Sequence, residues 1–323
     1  MQRREFLLFA ASAAIAGQAA AEAQEPGRVY RLGYLVAAPR EAPHHVALRN
    51  ELRRAGFIGG QNLWIDDSGF GLSGNGFEEH AGVLAKARVD VIVAGGDVAV
   101  RAAQRATSDI SILAVGDDLV GQGFVRSLAK PGGNTTGVTL LAAELDGKRQ
   151  AILIEALRGV RRIALLADGE SKPVHLQALQ DAVRNQGVEP SIHLVARRED
   201  IVPAIDAARA AGAEALNVLA SYLFYNNRTI IFERVATLRL PAVYQWPEMA
   251  AQGGLIAYGP NIVQIYKDIQ SRQLLQLLRG TKPADLPIEQ PTKFELVINL
   301  KTASRLGLTV PPSLLAHADE VIE

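Results

Sequence analysis

A chain of 323 residues is long for one hydrophobic core, because single cores stop growing near roughly 250 to 300 residues, so two lobes are the first expectation. Lys plus Arg equals Asp plus Glu at 34 each, which excludes a long-range field that would draw the protein to nucleic acid or anionic lipid. The chain has no cysteine, so disulfide bracing and a thiol-linked lipid anchor are excluded as well.

The N-terminus reads as an export signal. Arg3 and Arg4 precede an apolar, alanine-rich run from Phe6 to Ala16, and Ala21-Glu22-Ala23 follows. The run is too short to span a bilayer, which takes ~20 residues, and Ala-x-Ala fits a signal-peptidase site, so cleavage is expected after Ala23. Arg3-Arg4 with Phe6-Leu7 fits a twin-arginine signal, and an ordinary Sec signal with two basic residues is the alternative. Either route predicts a soluble, periplasmic mature chain.

From Val29 a unit recurs: an apolar strand, a polar or glycine-rich strand end, an alanine-rich amphipathic helix, then a turn. Strands are expected over Val29 to Val36, Asn62 to Asp66, Asp90 to Ala94 and Ser111 to Val115. Helices are expected after the first strand, where Leu48, Leu52 and Ala55 share one face and Gly56 stops the helix, and over Phe77 to Arg88 and Val98 to Thr107. A further helix is expected around Val120 to Leu128. Pro131-Gly132-Gly133-Asn134 is a tight turn after which the chain should leave its first sheet, with Thr136 to Leu140 as a crossing strand. The cycle then restarts with strands at Arg162 to Ala167, Ser191 to Val195, Glu214 to Ala220, Ala242 to Tyr244 and Leu255 to Tyr258. Helices fall at Glu144 to Leu157, Val174 to Gln186, Ile201 to Ala211 and Asn227 to Leu238. Ile262 to Arg279 is an amphipathic helix and Phe294 to Ile298 a late strand. Two such half-chains predict an α/β fold, with two doubly wound parallel-sheet lobes around a cleft.

A search for catalytic chemistry finds little. The histidines His44, His45, His80, His175, His193 and His317 show no H-E-x-x-H or other short metal-ligand spacing and read as isolated surface or helix residues. Gly71-Leu72-Ser73-Gly74-Asn75 fails the G-x-S-x-G pattern at its fifth position. Gly95-Gly96-Asp97 sits where a phosphate-binding turn would, yet G-x-G-x-x-G is absent there and Walker A is absent throughout. Neither an enzyme assignment nor a cofactor follows.

What remains are strand-end polar and aromatic groups, where ligands bind in open parallel sheets. In the first half they are Ala38, in the turn after the first strand, Gly96 and Asp97 after the third, and Asp117 and Asp118 after the fourth. Each of these acids could instead cap a helix. In the second half they are Asp168 and Ser171, then Ser221 and Tyr222, then Trp246. Aromatic residues make up only 6% of the chain, so Tyr222, Phe224, Tyr225, Tyr244 and Trp246 at two adjacent strand ends are a concentration. Rings flanking a cleft bury the flat part of a ligand, and the competing reading is packing, favoured for Phe224 and Tyr244.

The whole chain resembles the solute-binding proteins of ABC transporters, of the TrpX-like kind with the type I periplasmic binding protein fold. The marks are Gly56-Phe-Ile-Gly-Gly-Gln-Asn62, the run from Ser127 to Gly137, Glu144-Leu-Asp-Gly-Lys-Arg149, Gly253 to Pro260 and Lys282 to Pro287. Pro291 to Ala303 and Leu306 to Pro312 are the strongest. The resemblance implies an extracytoplasmic receptor that binds a small solute, amino acids and aromatic compounds among them, and presents it to an ABC permease. It implies lobes that close by hinge bending. Carried over by position, the family's strand-end Asp falls on Asp118, with Leu119 in place of Pro. Asp168 and Ser221 replace the family's Asn and Asp, and Tyr244, Trp246 and Glu248 keep its Tyr-x-Trp-x-Glu. Asp118 is thus the residue most expected to meet a ligand ammonium.

The expected division is a signal at 1–23, a first lobe at 28–140 with about 260–282, and a second lobe at 141–259 with about 290–323. The expected partners are a small-molecule solute and a permease, with no nucleic acid and no membrane span, and the protein is expected to be a monomer. A sensory subunit on the same fold, or less plausibly a periplasmic α/β enzyme, is the alternative.

Overall fold

A computed structural model describes residues 27–169 and 171–323, so the export-signal reading lies outside the described residues. Strands β1 (Tyr30–Leu35), β2 (Leu63–Ile65), β3 (Val91–Gly95), β4 (Ser111–Gly116) and β5 (Thr135–Thr139) form one sheet in the order β2-β1-β3-β4-β5. All its pairs are parallel. Helices α1 (Pro43–Arg54), α2 (Gly76–Ala87) and α3 (Asp97–Ala106) connect the first four strands.

Two expectations fail in this lobe. The chain does not leave the sheet at Pro131: β5 pairs with β4 along its whole length, Ile112 opposite Thr135 through Gly116 opposite Thr139. The segment expected as a helix at 120–128 is a series of turns. The Asp118 carboxylate accepts the Gly121 N–H at 2.7 Å, and Gly123, at φ 74°, turns the chain out of any helical path.

The second sheet begins after β5. Helices α4 (Asp146–Ala156), α5 (Pro173–Arg184), α6 (Ile201–Ala210), α7 (Tyr222–Asn226), α8 (Arg228–Thr237) and α9 (Pro247–Ala251) alternate with strands β6 (Arg162–Asp168), β7 (Glu189–Val195), β8 (Ala215–Val218), β9 (Ala242–Tyr244) and β10 (Ile256–Gly259). The chain then returns to the first sheet, where α10 (Ile262–Ile265) and α11 (Ser271–Leu278), joined by a π turn at Tyr266–Gln270, pack beside α1. It passes once more to the second sheet for β11 (Glu295–Asn299), α12 (Leu300–Leu306), α13 (Pro312–Ala316) and β12 (Glu320–Ile322). The final order is β12-β11-β10-β9-β8-β6-β7, in which only the β10 and β11 pair is antiparallel. These are two parallel-sheet α/β lobes.

The unbroken apolar strands follow from burial on both faces. In β3 and β4, Val91, Val93, Leu113 and Val115 face α1, α10 and α11, whereas Ile92, Ala94, Ile112 and Ala114 face α2 and α3. The core on the first of these faces runs on without a break through Tyr266 and Trp246 into the second lobe.

One buried arginine ties the passages between lobes together. Arg149 donates to Ala142 O, on the first passage, at 2.5 Å and to Tyr258 O, on the second, at 3.0 Å, while its charge is met by Asp146 Oδ1 at 2.5 Å. Asp146 Oδ1 also accepts the Ala220 N–H at 3.1 Å, so the pair is held by backbone as well as by its own attraction.

Candidate functional site

The carboxyl ends of strands from both lobes face one another, and between them lies a cavity of about 20 Å³, which is room for a single water. Its wall from the first lobe is the strand end Val36 to Ala38, Gly95, and two histidines on the first turn of α1. Its wall from the second is Tyr222, Tyr225, Asn226 and Trp246, and Ile262 and Tyr266 close one side. Pro43, the first residue of α1, sets the start of that helix so that His44 and His45 point inward rather than to solvent.

The walls meet as rings. Trp246 stands edge-on to Tyr222 at 5.5 Å and to Tyr225 at 4.3 Å. His44 lies 4.7 Å from the Tyr266 ring and 6.3 Å from that of Tyr225, and His45 packs against Tyr34 and Phe70 at 5.6 Å and 5.3 Å. Gly96, at φ 94°, sits under Tyr222 so closely that a Cβ there would come within 3.2 Å of the ring.

Several polar atoms in this cluster are buried without a partner: Tyr34 Oη, His44 Nδ1, both ring nitrogens of His45, Tyr222 Oη and Trp246 Nε1. Buried polar groups are nearly always satisfied, so such a cluster marks a place built for a hydrogen-bonding guest. Burial lowers the His44 imidazole to about 4, helped by Arg228, and the His45 imidazole to about 2, helped by His44. Both are therefore neutral at physiological pH. Burial also drives the Tyr222 hydroxyl well above its ordinary range.

Of the residues singled out in the sequence, Ala38, Tyr222 and Trp246 line the cavity, and Gly96 lies against the Tyr222 ring. Asp97 and Asp117 do not line the cavity. Asp97 Oδ1 accepts the Asp117 N–H at 3.3 Å, and Asp117 Oδ1 accepts the Ala142 and Ala143 N–H groups at 2.5 and 3.2 Å. Desolvation raises both acids, Asp117 to about 6 against the pull of those two N–H groups. Asp117 thus anchors the first passage between lobes and does not cap a following helix.

Asp118 lies outside this cavity. Its carboxylate accepts from Gly121 and stands 3.8 Å from Lys172 Nζ of the other lobe, on the cleft rim and away from the cavity wall. Asp168 accepts a hydrogen bond from Ser221 Oγ, which in turn accepts the Leu223 N–H at 3.0 Å and so caps α7. Gln245 Nε2 holds Ser221 O at 2.8 Å. Ser171 donates its N–H to Asp168 O in a turn at 2.9 Å and does not line the cavity.

Phe224 and Tyr244 are packed in the core, as their positions suggested. The sequence reading missed His44, His45, Tyr34 and Tyr266 and left Tyr225 unassigned. The available signal was Pro43 just after the first strand end, which aims the next two side chains at the cleft. Among the described residues no group of three or more His, Cys, Asp or Glu could hold a metal ion, and no helix is long and apolar enough to cross a membrane.

Two α/β lobes joined by several chain passages, with an aromatic cavity between their strand ends, define a two-lobed solute-binding protein of the type I periplasmic binding protein fold. The chain belongs to the ABC transporter substrate binding protein family, whose family model matches residues 76–322. It is 22% identical over 260 residues to a tyrosine-binding protein of Clostridioides difficile (strain R20291), covering 80% of this chain and 74% of that one. Among solved structures it is similar to an ABC domain in complex with L-Trp from Streptococcus pneumonia, with a TM-score of 0.75 and 22% identity over 91% of this chain and 100% of that one. A conserved domain protein from Vibrio cholerae superposes with a TM-score of 0.79 and 21% identity over 91% and 99% of the two chains. Members of this family bind their substrate for an ABC transporter.

Proposed function

We propose that the protein is the extracytoplasmic receptor of an ABC importer, which closes over a small organic molecule bearing an aromatic ring and delivers it to a membrane permease. The observation that carries this reading is the cluster of unpartnered polar atoms on aromatic side chains, drawn from both lobes, around one cavity between them. Rings supply apolar area and the polar tips supply direction, as ligand pockets require. The relatives, a tyrosine-binding protein and an L-Trp complex, support an aromatic guest. The cavity has room for a single water, so a larger guest displaces side chains of its wall as the lobes close around it. The receptor works as a monomer, does no chemistry on its guest, and reaches the periplasm through the N-terminal signal, processed after Ala23.

A thermal-shift screen of the mature chain against aromatic and aliphatic small molecules tests this. A ligand that binds only the folded state raises apparent stability by RT ln(1 + [L]/Kd). A shift with aromatic compounds is the expected result, and a shift confined to sugars or inorganic ions overturns it. N-terminal sequencing of the exported protein tests the processing site, and a mature start inside β1 overturns that part.

A further inference from the structure

We infer that the guest is an uncharged heteroaromatic molecule with hydrogen-bond donors and acceptors on its ring, of the chemistry of a free nucleobase, and not an amino acid. This rests on the aromatic reading above and narrows it by the charge and the polar pattern of the ligand. Among the described residues no Asp, Glu, Lys or Arg lines the cavity. An ammonium or a carboxylate enclosed there would lose its water and meet no partner of opposite charge, and a zwitterion would lose on both counts.

Charges of both signs stand outside the lining. Arg228 lies over the Tyr225 ring at 4.6 Å and donates to Tyr225 O at 2.8 Å and to Gln252, and Arg49 donates to Arg40 O at 2.8 Å. Glu248 accepts the Val263 N–H at 3.3 Å, and Asp97 accepts the Asp117 N–H at 3.3 Å. Cations and acids are both represented, so the surroundings select neither sign of ligand charge.

What the lining offers instead is neutral hydrogen bonding. His44 Nδ1, both ring nitrogens of His45, Tyr222 Oη and Trp246 Nε1 are buried and without a partner. Burial keeps both imidazoles neutral, so each presents one N–H and one bare nitrogen. The bare nitrogen of His45 requires a donor from the guest, its N–H and that of Trp246 require acceptors, and Tyr222 Oη serves as either. His45 stands on the first-lobe wall and Trp246 and Tyr222 on the second, so the guest needs polar atoms on two edges. A phenol answers one wall with its one hydroxyl, and indole offers an N–H alone. A purine or pyrimidine base carries both kinds of group around a flat neutral ring, and the rings of Tyr225 and Tyr266 supply the apolar area it packs on.

Calorimetric titration of the mature protein with hypoxanthine, adenine and uracil, against L-tryptophan, L-tyrosine, tryptamine and indole-3-propionate, tests the proposal. At least one base should bind about tenfold more tightly than any of the four charged compounds, a difference of about 1.4 kcal/mol. Tyr222→Phe and His45→Phe remove polar atoms and keep a ring, and each should weaken that base by about tenfold, with melting curves showing which variants fold. A charged compound that binds as tightly as the best base overturns the inference and leaves the aromatic receptor standing. A base that binds the folded variants as tightly as the wild type overturns it too. If none of these compounds binds, the inference falls, and a thermal shift with other aromatic molecules decides whether the aromatic reading falls with it.

Discussion

Asp118 and Lys172 belong to opposite lobes and face one another across the rim of the cleft, carboxylate oxygen to ammonium at 3.8 Å. Both side chains are well exposed, at 38% and 55%, so the pair is worth less than about 1 kcal/mol and is screened by salt. Asp118→Ala and Lys172→Ala should each weaken ligand binding by no more than about fivefold, and each should flatten the dependence of affinity on ionic strength. Calorimetry at low and high salt measures both effects. A loss of ~2 to 5 kcal/mol in Asp118→Ala, the scale for a desolvated charge pair, would put Asp118 back in contact with the ligand.

Gly96 of the first lobe lies against the Tyr222 ring of the second. Its positive φ disfavours any other residue by about 1 kcal/mol, and a Cβ there would press to 3.2 Å on the Tyr222 ring, which comes from the opposite lobe. The strain of the second kind exists only when the lobes are closed. Gly96→Ala should therefore cost little in unliganded stability, yet lower affinity by roughly tenfold, about 1.4 kcal/mol. Solution scattering with saturating ligand should show a less complete contraction than in the wild type, and an unchanged contraction with unchanged affinity would exclude Gly96 from the closing contact.

The fold was legible because its signal is local. Apolar runs such as that of β4 and helical faces such as Leu48 and Leu52 read directly as buried strands and amphipathic helices. The strands expected from the sequence and most of the expected helices fall within a residue or two of their predicted ends, whereas β12 and the short helices α7, α9, α12 and α13 were not foreseen. The helix expected at 120–128 fails because Gly123, at φ 74°, takes the chain out of the helical path after the single turn that Asp118 opens, which a pattern of apolar residues does not reveal. At the site, Tyr222 and Trp246 were legible as aromatic residues at strand ends. His44, His45, Tyr34 and Tyr266 were not, because their meeting depends on α1, a π turn and a strand separated by more than two hundred residues. Asp117 and Asp118 sit next to each other in the chain, and only the course of the backbone decides which turns inward.

Arg149 is fully buried and joins two of the passages between lobes to Asp146. Replacing it with methionine leaves the buried Asp146 carboxylate with His175, at 3.1 Å, as its remaining side-chain partner, which costs up to ~3 to 5 kcal/mol, and also frees Ala142 O and Tyr258 O. Arg149→Met should lower the melting temperature substantially, and Asp146→Asn added to it should recover part of the loss. Wild-type stability in Arg149→Met would show that the passages are held by other contacts.

The last prediction concerns Asp117. Burial raises its carboxyl from an ordinary 3.8 to about 6, with Asp97 and Asp146 pushing the same way and the Ala142 and Ala143 N–H groups opposing. The folded chain therefore holds this proton more tightly than the unfolded chain does. Its contribution to stability is fully present below about pH 3.8 and is lost as pH rises through about 6. His44 and His45 work in the opposite sense over the same range, because burial lowers their values and the unfolded state is the one that gains protons. The wild-type curve alone thus mixes two slopes, and a variant is needed to separate them. Asp117→Asn retains an oxygen for Ala142 and Ala143 but cannot ionise. The stability of Asp117→Asn relative to wild type should rise between pH 4 and pH 7 by on the order of 2 kcal/mol and level off above that. Denaturant unfolding at several pH values, without ligand, measures the difference directly. A difference that stays constant with pH would mean that Asp117 is charged and well solvated, and that the passage it anchors does not depend on its protonation.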